Sequence, residues 1–443
     1  MPDRQPPGTR RPLDASHAAA LRRHPDLPRA LTVARRLREA GHEVYLCGGA
    51  VRDLLLGIEP ADLDLATDAT PERIEALFTR TVPTGKQFGV VQVVEGGGPL
   101  EVATFRADGA YTDGRRPSAV RYGTLADDVA RRDFTVNALM LDLDTLDVTD
   151  LVGGRADLDA RLLRAVGDAR VRFDEDALRL MRAVRFACAR DLAIEPATRA
   201  ALGACAAGLA RISAERITHE LERILASSAP GRGLRLLAET GLLAVALPEV
   251  ARLGLGAGEA PIDGRAPAPL AAAALALDRL PTGDAMLGLA AILRALTPDL
   301  AAAALDRLAL PNVRRKRALD LARASRDLPA LAVAPIAERK RVLREDWAPG
   351  LVELARAVAL AGTGDLAPYL SLRLDRQRWV QERSLFPPKL LDGDALLALG
   401  VPRGPGMGAL VRGLEDAQLA GTVADAAGAT EWVARALAGE GSA

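Results

Sequence analysis

Apolar positions in the first third of the chain come in short blocks. "VYLCGG" (44–49), "DLDLAT" (62–67), "GVVQVV" (89–94), "LEVATF" (100–105) and "ALMLDLDT" (138–145) alternate or run continuously over a few residues. Several are separated by Gly- or Pro-bearing turns, and blocks of this length predict strands. Between Pro28 and Ala40 the apolar spacing changes to a helical period that stops at Gly41, a favoured residue just past a helix end. Residues 1–27 are rich in Pro and Arg without periodicity and read as a disordered tail. After Asp150 the pattern becomes long Ala/Leu/Arg stretches of helical period, punctuated by Gly and Pro near 229–233, 253–268, 281–284 and 402–408. The expected architecture is α+β: a mixed sheet with helices over 28–150, then all-helical segments over 151–228 and 229–443.

Composition narrows the class. With 443 residues the chain is too long for one ordinary core, and roughly 150 residues per domain suggests two or three. A content of 49% hydrophobic and 26% charged residues reads as soluble. No stretch approaches the roughly 18 uncharged apolar residues of a membrane span, so the expectation is a cytoplasmic protein with no membrane partner. Cys47, Cys188 and Cys205 lack CxxC spacing, and the four histidines form no metal-binding motif. A metal in this chain therefore sits on carboxylates, which suits magnesium or manganese. Basic and acidic residues both number 58, so nucleic acid would have to be drawn to local patches.

The candidate chemistry begins at "GGAVRDLLLGIEPADLDLATDAT", residues 48–70. In a strand Asp62 and Asp64 point to one face while Leu63 and Leu65 point to the other. Two carboxylates held together repel, and one stays protonated unless a cation bridges them. Asp-x-Asp alone is common and equally describes a solvated loop. The upstream pair Gly48-Gly49, where bare backbone can approach a phosphate, and Arg52 in the following helix make the combination more specific.

These residues resemble the class II tRNA nucleotidyltransferase and bacterial poly(A) polymerase family. Further matches follow in order: "RRDFTVNAL" (131–139), "DLVGGRADL" (150–158), "EDALRLMRAVRFA" (175–187) and "ISAERITHELERIL" (212–225). The resemblance implies a polymerase beta-like nucleotidyltransferase head at the N-terminus, then a helical neck for base recognition, and a helical body and tail that bind tRNA. It further implies template-independent addition of C, C and A to a tRNA 3′ end from CTP and ATP. Two Mg2+ ions, with Mn2+ an alternative, would be held by Asp62 and Asp64. An A-adding or CC-adding specialist, a poly(A) polymerase and a non-catalytic RNA-binding relative are the alternatives.

The resemblance also implies roles residue by residue. Gly48, Gly49, Arg52 and one of Arg131 and Arg132 would contact the triphosphate, and Asp133 the ribose hydroxyl. Asp176 and Arg179, with Arg182 and Arg185 on the same half of their helix, would face the base; by periodicity alone these arginines read as a solvated face. Glu101 is either a third acidic group of the site or an ordinary strand-end glutamate. The stretch "RADGAYTDGRRPSAVRYG" (106–123) is a long polar loop, which in CCA-adding members is implicated in the switch from CTP to ATP. Arginine clusters at 314–317, 339–344 and 373–378, and the Gly404-Pro405-Gly406 turn before a helix, are candidates for RNA backbone contact.

Overall fold

The computed structural model describes residues 8–82, 89–108, 120–254 and 269–438. It divides into two compact units, Met1–Ile224 with Leu236–Ala246 and Leu225–Arg235 with Leu247–Ala443. The segments expected as separate head and neck thus fall in one unit.

Among the described residues of the first unit, eight strands form one sheet. They are β1 (Thr9–Pro12), β2 (Val44–Cys47), β3 (Leu65–Thr67), β4 (Thr81–Val82), β5 (Val90–Glu95) and β6 (Gly98–Thr104). After a separate hairpin of β7 (Arg106–Asp108) and β8 (Val120–Tyr122) come β9 (Met140–Leu141) and β10 (Asp147–Asp150). The order is β1-β10-β9-β2-β3-β6-β5-β4, with β3 and β6 parallel and the other neighbours antiparallel. Every residue of β2 is buried, as a central strand requires. Residues 109–119, most of the polar loop singled out from the sequence, lie outside the described residues.

Two expectations need correction. Residues 8–27 are not a disordered tail. β1 pairs with β10 at the sheet edge, and the helix α1 (Ala15–Arg23) starts where the Asp14 carboxylate accepts the His17 N–H. An edge strand bonds on one side only, so polar residues and Pro12 suffice there and no apolar alternation marks it. The chain beyond Asp150 is also not purely helical, because β11 (Leu162–Leu163) pairs in parallel with β12 (Ala193–Ile194).

Helix α2 (Leu27–Glu39) buries Ala30, Val33, Ala34 and Leu37 on one stripe and ends at Gly41, whose φ is +88°. Helix α3 (Gly49–Leu55) follows β2 directly. Helix α4 (Pro71–Leu77) is capped by Thr70, and α5 (Leu125–Ala130) by a reciprocal Thr124–Asp127 box. The "DLVGGRADL" motif is a corner. Asp150 accepts the N–H groups of Val152, Gly153, Gly154 and Arg155 at 2.8–3.1 Å, starting α6 (Gly154–Asp159). A side chain on Gly154 would lie 2.1 Å from the Thr135 carbonyl oxygen, so only glycine fits that approach. Helices α7 (Ala169–Glu175), α8 (Leu178–Ala189), α9 (Pro196–Cys205) and α10 (Ala214–Leu225) follow.

The second unit is helical among its described residues. Its C-terminal part packs Leu396, Val401, Leu414, Val423, Ala429 and Val433 into a core of their own, with a helix beginning at Pro405 as expected. Many of the candidate RNA-contacting arginines are spent internally. Arg341 and Arg344 pair with Glu415, Arg339 and Arg378 with Asp375, and Arg315 with Asp306. No helix among the described residues is long and apolar enough to cross a membrane.

Candidate active site

The site grows from the turn between β2 and α3. Gly48 has φ +68°, a conformation that favours glycine, and its Cα faces the Arg132 Nη1, which a Cβ there would meet at 3.1 Å. Asp62 and Asp64 sit just before β3, in its extended lead-in rather than within it. The Asp64 carbonyl accepts the Cys47 N–H at 3.0 Å and continues the β2–β3 ladder. Leu63 and Leu65 are buried, so the expected alternation holds and the two carboxylates share the opposite side.

Glu101 joins them through sheet register. β3 and β6 run parallel with Leu65 beside Val102, which sets Asp64 alongside Glu101, one residue earlier on each strand. Burial, then Glu101 and Asp62, push the Asp64 carboxyl up to about 7 against the opposing pull of Arg132. Burial and Asp62 also raise Glu101. Among the described residues none of the three carboxylates makes an ion pair or accepts a side-chain hydrogen bond.

No three His, Cys, Asp or Glu side chains among the described residues are gathered closely enough to ligate one ion by themselves. The donor set still fits magnesium or manganese, which bind through one or two carboxylates and take further oxygens from water and substrate phosphates.

Behind this edge the pattern reverses, and every carboxylate is paired. Asp128, 1% exposed, accepts from Arg131 on one oxygen and from Arg132 on the other. Arg132 also donates to the Asn137 carbonyl at 3.1 Å. Asp133 takes both Nε and Nη2 of Arg182, at 2.8 and 2.6 Å, and the Asn137 amide at 3.0 Å. Burial alone would raise Asp133, but Arg182 and Asn137 bring it down to about 2.

Arg52 is buried and turned inward. It donates to Asp53 at 2.8 Å and to the Asn137 side-chain oxygen at 2.6 Å. Arg190 holds Asp53 from the end of α8 with two bonds, at 2.7 and 2.8 Å.

On α8 the arginines are not a solvated face. Arg179 donates to Glu175 and to the backbone carbonyls of Arg172 and Arg131. Arg185 pairs with buried Glu220 of α10 at 3.1 Å, and burial followed by the nearby Arg182 lowers it to about 10. Asp176 stands apart from this chain, bonded to the Leu178 N–H and to Arg216.

The structure therefore gathers Asp62, Asp64, Glu101, Gly48 and Arg132 at one edge, and links Arg52, Asp133, Arg179 and Arg182 in a network beside it. Asn137, Phe186 and Glu220 complete that network and carried no distinct signal in the sequence, whereas pairing of Arg131 and Arg132 with the upstream acidic pair Asp127 and Asp128 was one reading the sequence offered, and Asp128 is the partner. Asn137 lies within the "RRDFTVNAL" segment already singled out, and its position four residues after Asp133 is the only hint.

Residues 44–164 match the family described as the Poly A polymerase head domain, and residues 191–253 match one described as the probable RNA and SrmB-binding site of polymerase A. The CCA-adding enzyme of Geobacillus thermodenitrificans is 46% identical over 231 residues, covering 52% of this chain and 57% of that protein. That of Levilactobacillus brevis is 48% identical over 214 residues, 48% of this chain and 54% of its own. The match thus spans little more than half the length of these curated relatives. The crystal structure of the Bacillus stearothermophilus CCA-adding enzyme in complex with CTP is 32% identical, with a TM-score of 0.72 over 94% of this chain and 98% of that one.

Proposed function

The chain belongs to the family of CCA-adding enzymes and poly(A) polymerases, and on that premise we propose that it adds C, C and A in turn to the 3′ end of tRNA. The substrates are CTP and ATP, and pyrophosphate is released. The observation that carries this reading is the edge at Asp62, Asp64 and Glu101, where Asp64 and Glu101 are raised by burial and by their acidic neighbours and none of the three makes an ion pair among the described residues. An arrangement that costs free energy in the empty protein is repaid when a divalent cation arrives.

Asp62 and Asp64 would hold two magnesium ions. Bound there, such ions activate an attacking hydroxyl and stabilise the charge on departing phosphate oxygens. Glu101 adds negative charge beside Asp64 and helps to retain the cations. Of the two candidate arginines, Arg132 is the one that faces the triphosphate, because it is the arginine whose charge reaches Asp64 and whose guanidinium lies against the Gly48 turn. Arg131 serves by holding Asp128. Arg52 acts from behind, fixing Asn137 and through it Asp133, which would accept from the ribose hydroxyl. Asp176 and Arg179 read the base edge, an acceptor and a donor that suit the complementary groups of cytosine and adenine.

Three tRNA transcripts test the proposal, ending before the CCA, after one C, and after CC, each supplied with magnesium and CTP, ATP or both. Growth of the first to full CCA is the expected result. Extension only from the CC end with ATP would make the protein an A-adding specialist, and arrest at CC its counterpart. A long adenylate ladder would mean a poly(A) polymerase, and no incorporation a binding protein without catalysis.

A further inference from the structure

Three guanidinium groups converge on one aromatic ring. Phe186, 8% exposed on α8, has the Arg185 Cζ 4.3 Å from its ring centroid, Arg52 at 4.8 Å and Arg182 at 5.2 Å. The Phe134 ring meets it edge-on at 5.9 Å, with 78° between the planes. Arg52 and Arg182 are already joined through the bonded pair Asn137 and Asp133, whereas Arg185 has its polar partner on a separate element, Glu220 of α10. The Phe186 ring is a group that all three touch.

Like charges brought this close repel, and each would gain by swinging away. An aromatic π-face offers negative potential at the distance where a guanidinium packs flat, and in a buried setting that attraction is strongest. An aliphatic side chain of comparable bulk fills the space but offers no such potential. The ring therefore does more than pack the helix.

We propose that Phe186 is a positioning residue for nucleotide selection, holding Arg52 and Arg182, the two arginines that fix Asn137 and Asp133, in set relation to one another and to Arg185. This rests on the proposed CCA-adding activity. Phe186 touches no substrate itself and acts through the arginines.

The test compares Phe186→Leu and Phe186→Tyr with the wild type in single-nucleotide addition to the three tRNA transcripts. For each protein kcat and KM are measured for CTP, UTP, ATP and GTP, together with the thermal midpoint. Loss of the ring should lower the preference for CTP over UTP, and for ATP over GTP, by about tenfold, the scale of a buried cation–π contact. Phe186→Tyr, which keeps the ring, should retain the wild-type preferences. A Phe186→Leu protein that is less stable or slower with all four nucleotides alike, but keeps the wild-type preferences, would reduce Phe186 to a packing residue and overturn the proposal. So would equal loss of preference in the Tyr variant. Equilibrium binding of CTP and UTP to the same three proteins without RNA separates the two levels. If the wild type binds CTP yet extends no tRNA, the functional reading fails while the binding preference still decides the role of Phe186. If it binds neither nucleotide, both fail.

Discussion

Two groups of carboxylates in the first unit differ both in depth and in company. At the sheet edge Asp62 and Asp64, with Glu101, face one another, and Asp64 is pushed up to about 7. Asp53, Asp128 and Asp133 are more deeply buried than that edge, and burial pushes each of them upward. Their arginine partners outweigh that penalty, and all three end below the usual carboxylate range. The comparison teaches that company outweighs depth, since the more deeply buried carboxylates are the ones held low. A paired carboxylate has its counter-charge within the chain and serves to hold arginines in place. An unpaired group among like charges is destabilised as it stands, and its counter-charge must come from outside.

The contrast breaks most visibly at Asp64. Asp64→Ala should remove nucleotide incorporation by about ten-thousandfold, since a metal ligand at a phosphoryl-transfer centre supplies several kcal/mol of charge stabilisation. Affinity for tRNA should remain close to wild type, and the fold should be no less stable. Measured turnover within tenfold of the wild type would end the assignment of the acidic edge as the metal site.

Asp128→Ala should do the opposite, because its damage lies in the fold. It strands Arg131 and Arg132 with no carboxylate, and removing one member of a buried ion pair costs about 3–5 kcal/mol. Urea denaturation of the variant would measure that loss, and a change below about 1 kcal/mol would mean that the pair is solvated in solution. Glu101→Gln comes next. It preserves shape and removes one charge from the edge, so incorporation should drop about a hundredfold at limiting magnesium and recover partly as magnesium is raised. A loss insensitive to magnesium concentration would assign Glu101 a role other than retaining the cation.

What the sequence made legible follows from how local each signal is. The facing of Asp62 and Asp64 was legible because a two-residue alternation carries it, and it survives although the residues precede β3 rather than belong to it. Helix α2 was legible from its apolar stripe and its terminal glycine. The standing of Glu101 was not, because only the parallel register of β3 and β6 sets it beside Asp64. The α8 arginines misled for the same reason. Arg182 finds its carboxylate 49 positions away at Asp133, and Arg185 finds its partner 35 positions away at Glu220. Helical periodicity registers a polar face but not whether another element arrives with the matching charge. β1 escaped notice because an edge strand needs no apolar pattern, and its partner β10 lies more than a hundred residues downstream.

The smallest effect is the one that tests the physical premise most directly, without any assay of activity. In an unfolded chain the Asp64 carboxyl would lose its proton near 4, whereas in the folded protein it holds it up to about 7. Between these values the native state binds more protons than the unfolded state, so stability falls as pH rises through the window and the full penalty is present above it. Asp64→Asn cannot ionise. In chelator-treated protein it should match the wild type near pH 4 and become progressively more stable than it toward pH 8. Magnesium should then stabilise the wild type at pH 8 and leave the Asn variant nearly unchanged, because the cation relieves a repulsion that only the wild type has. A stability difference that stays flat from pH 4 to pH 8 would mean that Asp64 is ionised at no cost, and the acidic edge would then be no different from the paired aspartates behind it.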